Sequence, residues 1–272
     1  MDADDAGDLG VADAADVATD TGPSWPSCDS KPDGATASTI AAIWAAEPKP
    51  AKFTWVSGAV VTAVSYGGCA ADKACQIFIQ EGSATTLADA AKKAIKIFVS
   101  AKAASRFAGI AAGDRVDVAA YAWRYDVGGQ NELLLQVNDV YRGCAKKTGT
   151  GTITPVPATL AELGSVAAYE TQYGPVLVKV SNVSGKTETS LMSTFALWPT
   201  AGFDAGSSAI VSLSPYALPS GTFTGLSTSL RYDFLSVTGV FGMFIPSGAV
   251  DGGPPSKYLE IYPRSMSEVV IK

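Results

Sequence analysis

The feature that most limits what this chain can fold into is an internal repeat. Each half carries a short helix-like segment, then a β-rich stretch, then a closing strand. Ala37 to Ile43 leads into Trp55 to Val61, and Pro157 to Leu163 leads into Pro175 to Ser181, in the same layout. A degenerate repeat of strand-forming segments predicts two related small β-barrels in tandem. The chain is long enough for that: 272 residues, 47% hydrophobic and 17% charged, can fill two ordinary cores.

Within the first half, Ser38 to Ala46 reads as a helix stopped by Glu47-Pro48-Lys49-Pro50, because proline removes a donor and disfavours helical geometry before it. Val56 to Ser65 is a first strand with a bend at Gly58, and Ala74 to Gln80 a second, alternating Cys75, Ile77 and Ile79 against Gln76, Phe78 and Gln80. Ile95 to Ser100 is a third, and Ser105 to Ile110 a short turn or helix. Ala112-Gly113-Asp114 launches Arg115 to Tyr125, Asp126 to Gly129 turns the chain, and Asn131 to Tyr141 is the fifth strand. Three strands, a helical crossover and two strands is the order of an OB-fold, a five-stranded Greek-key barrel. After a linker at Thr148 to Thr152 the order recurs in Pro175 to Val183, Leu191 to Trp198, Ala209 to Leu213, Tyr232 to Ile245 and Lys257 to Tyr262. Insertions around Ser214 to Gly225 and Pro246 to Pro255 are expected to be mobile loops. The fold expected is therefore all-β: two tandem OB-like Greek-key barrels with short helices, over residues 25–147 and 153–272, behind a disordered acidic tail at 1–24.

That tail is Asp, Ala and Gly without a basic residue and cannot bury enough apolar surface to offset its ordering entropy. Its Asp spacing does not fit the D-x-[DN]-x-[DN]-G calcium loop. The chain has no run of eighteen apolar residues, and its N-terminus lacks the regions of a signal peptide, so a soluble chain is expected. Four cysteines, Cys28, Cys69, Cys75 and Cys144, allow three pairings. Tyr66 to Cys75 reads as a hairpin turn whose ends meet, which favours Cys69 with Cys75. Cys28 with Cys144 would then strap the lead-in to the end of the first barrel. Disulfides point to an extracellular or cell-envelope location, against the alternative of four buried thiols in a cytosolic protein.

The run Ser57 to Val64, with Gln76 to Gly82, Ile95 to Val99 and Ala112 to Val118, resembles the OB-fold domains of secreted bacterial nucleases and surface lipoproteins. Leu259 to Ser265 is similar to their closing strand. The acidic tail resembles the tethers that follow the lipidated cysteine in myxobacterial-type lipoproteins. That resemblance implies an exported protein, with Met1 standing where a signal peptide and anchor cysteine have been removed, and a lipid anchor in the precursor. No nuclease domain accompanies the barrels, so the resemblance transfers fold and not catalysis.

Chemistry is narrowed by the absence of histidine. Triads, His-ligated zinc and imidazole acid–base work are excluded, and the cysteine spacing is wrong for a zinc site; no metal or cofactor is expected. A carboxylate pair could be drawn from Asp72, Glu81, Asp114, Asp117, Asp126, Glu132 and Asp139, all near strand ends, although turn acids are their ordinary role. No S-x-x-K stands at a helix start. Gly149-Thr150-Gly151 and Gly252-Gly253-Pro254-Pro255 lack what a phosphate loop needs. A net charge of −6 argues against a broad polyanion-binding surface.

The positive signal for binding lies in the fourth strand. If Val116, Val118, Ala120 and Ala122 face inward, Tyr121, Trp123 and Tyr125 face outward, joined by Phe78 and Phe98, with Arg124 at the rim. Such rings either stack a ligand or pack against the other barrel or the Cys28 strap. Trp198-Pro199 and Tyr216 to Pro219 read as loop aromatics that anchor their own loops. The functional expectation is a non-enzymatic exported or cell-surface binding or structural module that contacts a protein or glycan partner through barrel faces. A single-stranded nucleic-acid or oligosaccharide binder, and a carboxylate-based hydrolase, are the alternatives.

Overall fold

The computed structural model describes residues 24–70, 72–125, 131–187, 194–200, 211–227, 230–244 and 257–272. The acidic tail apart from Ser24, the Asp126 to Gly129 turn, Leu191 to Ser193 and the Pro246 to Pro255 insertion lie outside the described residues.

The first half runs β1 (Thr36–Ala37), α1 (Ile40–Ala46), β2 (Lys52–Val64), β3 (Cys75–Gln80), α2 (Leu87–Ala90) and β4 (Ala94–Val99). A 3-10 segment (Ala101–Phe107) then leads to β5 (Asp114–Tyr125), β6 (Glu132–Val137) and β7 (Cys144–Thr150). The second half runs β8 (Val156–Pro157), α3 (Leu160–Leu163), α4 (Val166–Ala168), a π-type turn (Tyr169–Tyr173), β9 (Leu177–Thr187), β10 (Phe195–Pro199) and β11 (Val211–Leu213). A 3-10 turn (Pro215–Ala217), β12 (Arg231–Phe244), β13 (Tyr258–Tyr262), a second 3-10 turn (Met266–Glu268) and β14 (Val269–Ile271) complete it.

Each half closes the same five-stranded barrel. In the first, β2-β3-β4-β6-β5 are neighbours in that order and β5 pairs back onto β2; in the second, β9-β10-β11-β13-β12 close through β12 and β9. All five pairings are antiparallel except the third strand with the fifth, β4 with β6 and β11 with β13. This connectivity is that of an OB-like Greek-key barrel, and closure removes the sheet edges within each ring. The repeat is fuller than the sequence suggested. A short strand before the helix lies parallel to the first barrel strand in both halves, β1 on β2 and β8 on β9. A last strand lies antiparallel to the fourth, β7 on β5 and β14 on β12.

Closure depends on a long first strand that serves two partners. β2 pairs with β5 through Lys52 to Val60 and with β3 through Val60 to Val64, with register shifts between Val56 and Ala59 and between Val61 and Ala63. Gly58, at φ 71°, makes the bend. Asp117 holds it there, its Oδ1 accepting from the Gly58 N–H at 2.8 Å and from the Ser57 hydroxyl at 2.7 Å.

Alternation then fills the interior: Val56, Val61, Ile77, Ile79, Ile95, Ile97, Val116, Val118, Leu133 and Leu135 share one core. Thr39 caps α1, its hydroxyl accepting from the Ala42 N–H, and Ile40, Ile43 and Trp44 turn the buried face of that helix to the barrel. The second core is built around Val178, Val180, Phe195, Leu197, Leu213, Phe234, Phe241 and Ile261.

The barrels meet over a third cluster, where Val60, Ala63 and Phe78 of the first pack on Leu177, Val240 and Tyr262 of the second. Polar bonds pin the joint: Gln80 Oε1 accepts from the buried Leu177 N–H at 3.1 Å, and the Tyr66 N–H donates to the Tyr216 carbonyl at 2.7 Å.

Both disulfides join the expected cysteines, Cys28 with Cys144 and Cys69 with Cys75. The first holds the lead-in over Trp55 and Ala119, in a small cluster with Ala35. Trp25 on the same lead-in lies under two guanidinium groups, Arg106 at 4.6 Å and Arg142 at 5.5 Å. Two disulfides fit an oxidising compartment. Among the described residues no helix is long and apolar enough to cross a membrane.

Four expectations need correction. The fifth strand ends at Val137, because Asn138 turns the chain by accepting from the Val140 and Tyr141 N–H groups. Most of the linker expected at Thr148 to Thr152 is the end of β7, an edge strand whose Thr148, Gly149 and Thr150 read as linker because edges are commonly guarded by polar residues. The Ser214 to Gly225 insertion is docked at its start, with Pro215, Ala217 and Leu218 buried and Ala217 in the joint. Trp198 and Pro199 lie in β10 and not in a loop.

Candidate binding cleft between the barrels

β5 places Val116, Val118, Ala120 and Ala122 in the core, so Tyr121, Trp123 and Tyr125 stand on the outer face, each half-buried. They form a continuous belt with two rings the sequence reading left out. Phe53 of β2 stacks on Tyr121 at 4.9 Å, Tyr121 meets Tyr141 at 4.8 Å, Tyr141 meets Trp123 at 6.0 Å, and Trp123 meets Tyr125 edge-on at 5.4 Å. Phe53 also packs against the strap held by Cys28, so one end of the belt is anchored and the other leads on.

At Tyr125 the belt enters a cleft of about 370 Å³ between the barrels. One wall is the outer face of the first barrel, where cross-strand register sets Gln76 opposite Phe98, Phe98 opposite Gln136, and Trp123 opposite Leu134. The other wall is Tyr216, Met243, Phe244 and Tyr262 of the second barrel. Of the expected binding residues, Phe98 and Tyr125 line this cleft, and Tyr121 and Trp123 continue it as the belt. Phe78 does not join them. It faces outward from its own barrel but is 1% exposed in the joint, 5.9 Å from the Tyr262 ring, because the second barrel sits on it.

Charge in the cleft is paired. Lys96 is bridged to Glu132, and Glu132 Oε1 also accepts from the Tyr169 hydroxyl at 2.9 Å across the joint. Beside it Lys257 pairs with Glu170, whose carbonyl accepts from Arg124 at 2.7 Å. Arg124, expected at the rim, is 4% exposed; it reaches Glu47 at 2.8 Å and lies over the Trp44 ring. This barrel-end cation is therefore a fastener between α1 and the π-type turn of the second barrel.

The phenols stay protonated. Burial first, then the Glu132 charge, pushes Tyr169 far up; burial and Glu260 do the same to Tyr262. Burial raises Tyr216 to about 12, against a hydrogen bond with Ser65 that works the other way. Of the two buried side-chain polar atoms without a hydrogen-bond partner among the described residues, Ser100 Oγ and Gln136 Oε1, the second belongs to a residue lining the cleft.

The acids considered for catalysis are spent separately. Asp114 accepts from the Ala111 N–H and pairs with Lys147, Asp139 pairs with Lys102, Asp117 holds the Gly58 bend, and Glu81 accepts from the Ile40 N–H at the start of α1. Asp72 stands in a left-handed turn, and Asp126 lies outside the described residues. Glu132 is the one carboxylate among the described residues that line the cleft. Among the described residues no group of three Cys, Asp or Glu side chains could hold a metal ion.

Sequence reasoning missed the polar part of the cleft. Glu132, Leu134 and Gln136 alternate along β6 and Lys96 and Phe98 along β4, so the outer face was legible once the strands were placed; Tyr216 and Tyr262 depend on docking that sequence does not display.

No family model and no curated protein matches the chain. Among solved structures, a replication protein A heterotrimer bound to ssDNA is similar at a TM-score of 0.30 with 12% identity, over 82% of this chain and 48% of that one. The chain thus spans about half the length of that neighbour, and a likeness of this size bears on neither ligand nor activity.

Proposed function

We propose that this protein is a non-enzymatic, exported binding module of the cell envelope or cell surface that engages a glycan or protein partner through the outer aromatic face of its first barrel. The observation that carries the reading is the unbroken belt from Phe53 through Tyr121, Tyr141 and Trp123 to Tyr125, each ring half-buried, opening into a cleft. Rings packed solely for the joint would be covered as Phe78 is. Stacking on such a face is worth roughly 1–3 kcal/mol per ring for a planar partner. The two disulfides support export, and the resemblance of the acidic segment to lipoprotein tethers supports an anchored precursor.

Tryptophan fluorescence titrated with soluble neutral polysaccharides and with single-stranded oligonucleotides, in wild type and Trp123→Ala, tests the reading. Saturable quenching by a polysaccharide that the variant loses supports it. A response only to oligonucleotides, or one unchanged in the variant, refutes it.

A further inference from the structure

We infer that the cleft between the barrels is a subsite for one or two neutral, hydroxyl-rich rings, the end of a neutral saccharide chain that continues along the aromatic belt. This deepens the proposed function and rests on it. Three observations lead here.

The first is shape. A cleft of about 370 Å³ stands at the small end of ligand pockets, too small for a folded partner and suited to a small ring. Phe98 and Tyr125 line the wall of the first barrel, and Tyr216 and Tyr262 the wall of the second, so the cleft is bounded by rings on both sides.

The second is charge. Lys96 is the one cation among the described residues lining the cleft, and Glu132 neutralises it. A phosphodiester or sulfated chain would find no free cation there and would meet an overall charge of −6. A neutral ligand meets no such penalty.

The third is hydrogen-bonding capacity. Gln76 and Gln136 stand on either side of Phe98, and the Gln136 carbonyl oxygen is buried with no donor among the described residues. A buried acceptor left alone is costly, and a turn of the amide about its last side-chain bond would bring that oxygen to the cleft, where the hydroxyl groups of a sugar ring are donors that would satisfy it. Side-chain amides flanking an aromatic face thus match a ring that is apolar on its faces and polar at its edge.

Gln136→Leu makes the separating variant, because the two roles of Gln136 pull in opposite directions. Removing an unsatisfied buried acceptor should leave Tm equal or raise it, while a saccharide-binding Gln136 should be missed. Calorimetric titration with cellotriose, maltotriose and chitotriose, and with a thymidine oligonucleotide, would be run on wild type, Gln136→Leu, Phe98→Ala and Trp123→Ala. The expected result is saturable binding of at least one trisaccharide, weakened roughly tenfold by Gln136→Leu with no loss of Tm. If a trisaccharide binds and only Trp123→Ala loses it, the cleft proposal falls and the belt stands. If no trisaccharide binds while a soluble polysaccharide still quenches wild-type fluorescence, the cleft proposal falls alone. Preference for the oligonucleotide overturns both.

Discussion

Cutting the Cys28–Cys144 bridge should cost far more than cutting Cys69–Cys75, and the structure sets the size of the difference. The first closes a separation of 116 residues and ties the lead-in to β7; the second closes one of 6 residues within the hairpin between β2 and β3. On the loop-entropy account, releasing them relaxes the unfolded chain by about 5 and about 2 kcal/mol respectively. Cys28 lies 5% and Cys144 7% exposed over Trp55 and Ala119, so the folded state also loses the packing of the strap. The comparison is Cys28→Ser/Cys144→Ser against Cys69→Ser/Cys75→Ser, each unfolded in urea and followed by tryptophan fluorescence and far-ultraviolet dichroism. The first pair should lose about 2–3 kcal/mol more than the second. Equal losses, or the reverse order, would refute the claim that the strap is a long-range fastener of the first barrel.

Three further outcomes are expected. Gly239 faces the Tyr262 backbone, and an added Cβ would stand 2.6 Å from its carbonyl; Gly239→Ala should cost about 1–3 kcal/mol in chemical denaturation, whereas Gly149→Ala, with nothing within 4 Å, should be near neutral. Tyr169→Phe removes the hydroxyl that reaches Glu132 across the joint and should cost about 1.5–3 kcal/mol as a hydrogen bond to a charged group, and an unchanged urea midpoint would show that the bond does not hold the barrels together. Burial works to raise the Asp114 carboxyl, but Lys147 at 2.6 Å and the Ala111 N–H outweigh it, leaving the group below its ordinary 3.8. Its stabilising contribution is therefore present above pH 3.8 and lost as pH falls through the lower folded value, and Asp114→Asn should flatten the acid limb of a Tm-against-pH profile.

Much of the fold could be read from alternation, since Cys75, Ile77 and Ile79, and Val116, Val118, Ala120 and Ala122, do face one core. The Gly58 bend was legible because a strand that must serve two neighbours needs a residue at positive φ. What escaped was composition at edges and contact between halves. β7 is polar because it is an edge, and so looked like a linker. Tyr216 looked like a loop aromatic, yet its loop packs against the other barrel. Of the site, Tyr121, Trp123, Tyr125 and Phe98 followed from period two, while the fate of Phe78 depended on where the second barrel docks, a relation between residues nearly two hundred positions apart. Arg124 broke strict alternation in expectation because a buried guanidinium needs partners, and those come from Glu47 and from the Glu170 carbonyl.

The most direct test of the central claim is affinity electrophoresis through native gels that contain soluble neutral polysaccharides, with wild type, Trp123→Ala and Trp198→Ala side by side. Trp198 lies in β10 of the second barrel, outside the cleft. The account predicts that at least one polysaccharide retards wild type and Trp198→Ala while Trp123→Ala migrates freely. Equal mobility of all three in every gel, or retardation that Trp123→Ala retains in full, would contradict it.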